Sequence, residues 1–112
     1  MKHYAEKQDI QRRLGKTFSA TTVPSEDDLE GLLEDADGFI NKEAKVFSNI
    51  KDTYGDLRNI AIDLVLKMIN NMWSFRNPEK FPYIDIELTD EQKRDIHKVH
   101  LKFYGETFDI GD

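Results

Sequence analysis

The chain has 112 residues, 22 Asp plus Glu against 16 Lys plus Arg, no cysteine and 38% hydrophobic residues, which suits one domain rather than two. A chain this short buries about 60 to 70% of its unfolded surface, enough for one compact core and too little for a deep enzyme cleft. The lack of cysteine excludes disulfides, thiolate zinc sites and thiol nucleophiles, and a net charge of −6 argues against free nucleic-acid binding, which draws on clustered Lys and Arg. No apolar run approaches the roughly 18 residues of a membrane span. The N-terminus is polar rather than a hydrophobic signal core, so the protein is expected to work where it is made.

Residues 5–14 read as a short first helix: Ile10 and Leu14 lie four apart, and Gly15 follows where a left-handed terminating residue is wanted. Residues 16–24, rich in Thr and Ser around Phe18 and closed by Pro24, suit a linking loop anchored by one aromatic. Ser25 opens a second helix, with Asp28 three residues on and Glu26, Asp27 and Asp28 favouring the positive end of its dipole. Leu29, Leu32, Leu33, Ala36, Phe39, Ile40 and Phe47 form its apolar stripe. Gly38, costing about 1 kcal/mol against alanine inside a helix, implies a bend or close packing there, and close packing is favoured.

Asp52 or Thr53 caps a third helix whose apolar positions are Leu57, Ile60, Ala61, Leu64, Val65, Met68, Ile69 and Met72. It is the most buried element in prospect. Trp73, Phe75 and Arg76 come near its end, and Asn77-Pro78 stops it, because the residue before proline avoids helical geometry. The period then changes. Ile84, Ile86 and Leu88 alternate with Asp85 and Glu87 over residues 81–88, the rhythm of a strand with one face covered, which needs a pairing partner in this chain or another. Thr89 and Gln92 form a capping box for a fourth helix with Ile96, Val99 and Phe103 on one face; Gly105 ends it and residues 106–112 trail off. There is no repeat, low-complexity tract or dividing linker. The expected fold is mainly α: a small bundle of about four helices with one short extended segment or hairpin, residues 1–104 as the folded body and 105–112 as a flexible or partner-docking tail.

The sequence carries little sign of chemistry. Placing Gly38 at the sixth position of a calcium loop puts Leu33 first and Ala44 twelfth, and neither ligates calcium. His97 and His100 lie three apart on the last helix, but no third ligand is placed beside them and Lys93 and Arg94 disfavour a cation, so a basic surface near a helix C-terminus is the simpler role. Ser19, Ser25, Ser48 and Ser74 include no glycine-flanked nucleophile, there is no phosphate-cradling glycine loop, and the carboxylates crowd exposed helical positions. No enzyme, cofactor or metal is expected.

Charge distribution says more. Residues 25–37 carry seven acids (Glu26, Asp27, Asp28, Glu30, Glu34, Asp35, Asp37) and no base, whereas residues 93–102 carry Lys93, Arg94, Lys98 and Lys102 against Asp95. Complementary patches on separate elements are what a head-to-tail contact needs, and such contacts close into rings when the rotation permits; an ordinary solvated surface is the alternative that charge alone leaves open. Phe81, Tyr83, Phe108 and Ile110 sit where little periodic structure buries them, so a neighbouring chain is a natural place for them. The stretch 106–110 alternates and suits adding a strand to a partner's sheet edge, with disorder as the alternative.

The N-terminal arrangement resembles the head-tail connector (adaptor) proteins of tailed double-stranded DNA phages. The likeness rests on Tyr4 and Ala5, then Asp9-Ile10-Gln11-Arg12-Arg13-Leu14-Gly15 with Phe18, a Thr/Pro loop, Ser25-Glu26-Asp27-Asp28-Leu29, and Leu32-Leu33-Glu34-Asp35-Ala36-Asp37 with Ile40. It covers residues 4–40; beyond them the elements agree in order rather than in motif. The resemblance implies a non-enzymatic virion protein, assembled in the host cytoplasm into a ring of 12 subunits in the phage neck between the portal protein and the stopper or tail-completion protein. DNA would pass through its channel without specific binding. On that reading Glu26, Asp27, Glu30, Glu34, Lys93, Arg94, Lys98, Lys102, Phe81, Tyr83, Ile84 and Ile86 are candidates for the joint between subunits. Glu30, Glu34 and Asp37 are candidates to line the channel, and Phe108, Asp109 and Ile110 to dock on the portal. The competing expectation is a small acidic helical interaction or regulatory module, antitoxin-like, that binds a single host protein.

Overall fold

Four helices follow one another in the computed structural model: α1 (Lys7–Leu14), α2 (Glu26–Ala44), α3 (Asp56–Arg76) and α4 (Asp90–Tyr104). The structure describes residues 3–52 and 55–104, the side chains of 103 and 104 excepted. The class is the mainly α bundle that the periodicity predicts.

The helix ends follow from local chemistry. The N–H of Glu6 is taken by the Asp9 carboxylate at 2.9 Å, so α1 starts two residues later than its apolar pattern suggests. Gly15, at φ 68°, closes it by donating to Gln11 O at 2.8 Å. At α2, Ser25 Oγ accepts from Asp28 N and the Asp28 carboxylate accepts from Ser25 N, the reciprocal box its sequence predicts. Gly55, not Asp52, occupies the capping position of α3. The Asp52 carboxylate nonetheless accepts from Gly55 N at 3.1 Å and Arg58 N at 2.8 Å, so it serves the same orphan donors from one turn back. Thr53 lies outside the described residues. Asn77 ends α3, and Thr89 and Gln92 exchange bonds of 2.9 and 3.0 Å to open α4.

Side-chain bonds fix how the helices run. Trp73 Nε1 donates to Val23 O at 2.8 Å, which sets the end of α3 beside the start of α2 and makes the two antiparallel. Gln92 donates to Asp63 at 3.0 Å and His97 meets Glu43 at 2.8 Å, so α4 runs back along the first half of α3 toward the C-terminal end of α2. Both α1 and α4 pack on α2 and on α3 without touching each other, leaving α3 covered on several sides. Its buried set is therefore broad: Leu57, Ile60, Ala61, Ile62, Leu64, Val65, Met68 and Ile69. Ile62 stands outside the predicted stripe because α1 supplies a second cover. Ile10, Phe18, Leu29, Leu33, Ala36, Ile40, Ile50, Ile96 and Val99 complete the core.

Several expectations are corrected. No strand forms among the described residues: 81–88 is extended but pairs with side chains, not a sheet. Asn71 donates its Nδ2 to Ile84 O at 2.6 Å and accepts Ile84 N at 2.8 Å, while Asn70 donates to Pro82 O at 2.7 Å. One carboxamide thus presents a donor and an acceptor as a neighbouring strand would, which answers the backbone's need for partners. Ile86 and Leu88 rest against the core, whereas Ile84 is half exposed. Gly38 is not closely packed, since a Cβ built there meets nothing within 4 Å. Phe39 is half exposed at the edge of its stripe, and Phe47 falls beyond the end of α2, fully in solvent. Phe103 lies outside the described side chains, and residues 105–112, with the predicted tail, lie outside the described residues altogether.

Candidate assembly surfaces

The acidic face of α2 divides into two parts. Glu26, Asp27 and Glu34 are exposed. Asp37, predicted to line a channel, is instead only 8% exposed, because residues preceding α1 strap across it. Its carboxylate accepts from Tyr4 N at 3.0 Å and lies 2.7 Å from His3 Nδ1, and the other ring nitrogen of His3 lies 2.6 Å from Glu30. Tyr4 Oη continues the strap, donating to Asn41 at 2.6 Å and accepting from Ile50 N at 2.9 Å. Burial alone would lower the His3 pKa. The hydrogen bonds and negative charges of Glu30 and Asp37 outweigh it, so the imidazole is held above its usual 6.5.

On α4, Lys93, Arg94, Lys98 and Lys102 are exposed. Among the described residues no ion pair joins Lys93, Arg94 or Lys98 to Glu26, Asp27 or Glu34. The two predicted imidazoles part company: His97 is half exposed against Glu43, while His100 is buried among the core side chains and contributes nothing to a basic surface. Among the described residues no cluster of three metal-ligating side chains forms, and no helix is long and apolar enough to cross a membrane.

A second charged feature escaped sequence reasoning. Asp9, buried in α1, takes Arg12 Nη2 at 2.7 Å and Arg58 Nη2 at 2.6 Å on one oxygen and Glu6 N on the other. Burial would raise its pKa. The Arg58 bond, the Glu6 N–H and the charges of Arg58 and Arg12 prevail and hold the carboxyl below its usual range, while the same contact raises Arg58. Asp9 and Arg58 lie 49 residues apart, so only Arg12, at helical spacing, was visible as a partner. The contact pins α1 to α3.

Aromatic residues concentrate at the end of the bundle where α3 finishes. Phe81, half-buried, packs its ring 5.1 Å from that of Trp73. These two, with Phe18, Thr17, Thr22, Val23 and Lys16, line a groove of about 570 Å³. Lys16 Nζ stands 5.7 Å from the Trp73 ring centre and Lys80 Nζ 5.5 Å from that of Phe81, placing two cations on aromatic faces. At the same end, Phe75 is 91%, Tyr83 68% and Ile84 40% exposed; Phe75 follows Asn71 by one helical turn on the same face, and Asn71 holds the backbone of Ile84. Phe47 projects from the other end, beyond α2. At 1.5 Å per residue the length of α3 sets the two ends about 30 Å apart. Of the predicted contact residues, Tyr83 and Ile84 are exposed, while Phe81 packs on Trp73 and Ile86 on the core. Phe108, Asp109 and Ile110 lie outside the described residues.

No family model, curated protein or solved structure matches the chain.

Proposed function

We propose that this chain is a structural ring subunit: a connector that assembles head to tail in a phage neck, between the portal and the stopper or tail protein, and extends the DNA exit channel. The observation that carries the reading is the segregation of exposed charge and exposed apolar side chains on separate parts of the surface. Exposed apolar groups occupy opposite ends of a body 48 × 28 × 20 Å. Among the described residues no ion pair joins Glu26, Asp27 or Glu34 of α2 to Lys93, Arg94 or Lys98 of α4, while His97 of α4 pairs with Glu43 of α2. A surface patch matched by a different patch on the same molecule is what a heterologous, ring-forming contact requires. The resemblance of residues 4–40 to phage connectors supports the same conclusion.

On this reading Glu26 and Asp27 meet Lys93, Arg94, Lys98 and Lys102 of the next copy. Glu34 faces a channel whose negative wall holds no phosphate, letting DNA slide. Asp37 and Glu30 both fasten the N-terminal strap through His3, so buried Asp37 has no place on that wall and the half-exposed Glu30 meets it with its charge shared. Assembly followed by light scattering and electron microscopy tests the joint. Reversing Glu26 and Asp27 to lysine should block ring formation, and reversing Lys93 and Arg94 to glutamate in the same chain should partly restore it. A double reversal that recovers nothing rejects the pairing.

A further inference from the structure

The groove between Trp73, Phe81 and Phe18 offers an apolar floor lined by Lys16, with Lys80 over the ring of Phe81, and the chain contains a segment of matching chemistry. Residues 105–112 place Phe108 and Ile110 among Glu106, Asp109 and Asp112 with no base. Apolar side chains would fill the aromatic trough while the acids meet Lys16 and Lys80, the arrangement by which aromatic grooves bind short acidic peptides.

Reach decides which copy supplies that segment. Gln92 touches α3 at Asp63. From that level, Trp73 lies ten residues, about 15 Å, toward one end of the bundle, and Tyr104 lies twelve residues, about 18 Å, toward the other. Phe108 is four residues past Tyr104 and extends at most about 14 Å from it. The Phe108 of a chain thus falls roughly 20 Å short of its own groove, and a neighbour's groove is the one within range.

We propose that residues 105–112 of one copy dock into the Trp73–Phe81 groove of a second copy. This deepens the ring reading and rests on it, giving to a neighbouring subunit the segment that the phage resemblance would give to the portal. A groove at one end filled by an arm from the opposite end also defines a directional contact, which can propagate around a closed ring.

Trp73 is the only tryptophan, so intrinsic fluorescence reports on the groove directly. A synthetic peptide of residues 105–112 is titrated into the full-length Phe108→Ala chain, whose own arm lacks its anchor. A saturable change in Trp73 emission is expected. It should vanish with a peptide carrying alanine for Phe108, and the peptide's affinity should fall roughly tenfold in Lys16→Glu or Lys80→Glu chains, whose folding is checked by circular dichroism. An unmoved tryptophan, or an equal response to the alanine peptide, overturns the assignment and leaves the groove to a partner of other sequence. Sedimentation of the wild-type chain separates this claim from the ring. Self-association lost in Phe108→Ala but confined to small open oligomers would keep the docked arm and reject the ring.

Discussion

Replacing Asp9 by asparagine keeps the size of the side chain and removes its charge, which isolates what fastens α1 to the bundle. In the wild type one buried oxygen, on a side chain 3% exposed, receives two guanidinium groups at 2.7 and 2.6 Å. Hydrogen bonds to charged groups contribute about 1.5–3 kcal/mol each when shielded. Arg12 and Arg58 are 62% and 50% exposed, so solvent screening brings each pair down to about 0.5–1 kcal/mol. Whichever way the asparagine turns, its NH2 meets another donor, the two guanidinium groups or the Glu6 N–H, which adds about 1 kcal/mol inside a buried site. The substitution should therefore cost about 2–3 kcal/mol, read as a lower urea midpoint at unchanged slope and a fall in Tm of about 8–12 °C for a chain of this size. The pH dependence follows from the depressed folded-state pKa. The contribution is present above the unfolded value near 3.8 and fades as pH drops through the lower folded one. The gap between wild type and variant should thus stay level from pH 7 to 5 and close in stronger acid. A double-mutant cycle with Arg58→Ala should return a coupling of about 1 kcal/mol. A variant within 0.5 kcal/mol of wild type, or a cycle with no coupling, would refute the reasoning.

Asn71→Ala removes both side-chain bonds to Ile84, so hydrogen exchange at the Ile84 amide should accelerate several-fold while the α3 amides keep their protection; global stability should fall by no more than about 1 kcal/mol, because alanine's better helix propensity offsets part of the loss. His3, held protonated above its usual range by Glu30 and Asp37, stabilises fully below pH 6.5 and loses its effect as pH rises through the raised value. Urea midpoints of wild type and His3→Ala should accordingly differ by about 1 kcal/mol at pH 6 and by clearly less at pH 9. Gly38→Ala should stabilise the chain by about 1 kcal/mol, measured in the same way, because the position is helical, exposed and free of neighbours.

The elements that were legible in the sequence are those set by neighbours along the chain. Ser25 with Asp28, Gly15, Asn77 before Pro78, and Thr89 with Gln92 all act within one turn, and their bonds appear as the motifs imply. Alternation at Ile84, Ile86 and Leu88 was read as a strand because the pattern shows which side chains are covered and not what answers the backbone; Asn70 and Asn71, one helix away, do that instead. The stripe of α3 was legible on one side only, since Ile62 is buried by a helix whose packing position the periodicity of α3 does not encode. Contacts across long separations were hidden altogether. His3 meets Asp37 across 34 residues and Asp9 meets Arg58 across 49, and either member alone looks like an ordinary surface charge. Composition named the acidic α2 and basic α4 correctly as charged segments, yet it could not show that Asp37 is withdrawn from one and His100 from the other. The groove was half visible. Trp73 and Phe81 stood out as large aromatics near a helix stop, but that their rings pack together beneath Lys16 and Lys80 follows only from the path of residues 77–89 back along α3.

The ring-subunit account is tested most directly by sequencing the DNA on both sides of the gene and translating the adjoining reading frames. The account predicts portal, capsid and tail-completion genes as neighbours. A gene set between a toxin and its operator, or among metabolic enzymes, would contradict it and favour a regulatory module that binds one host protein.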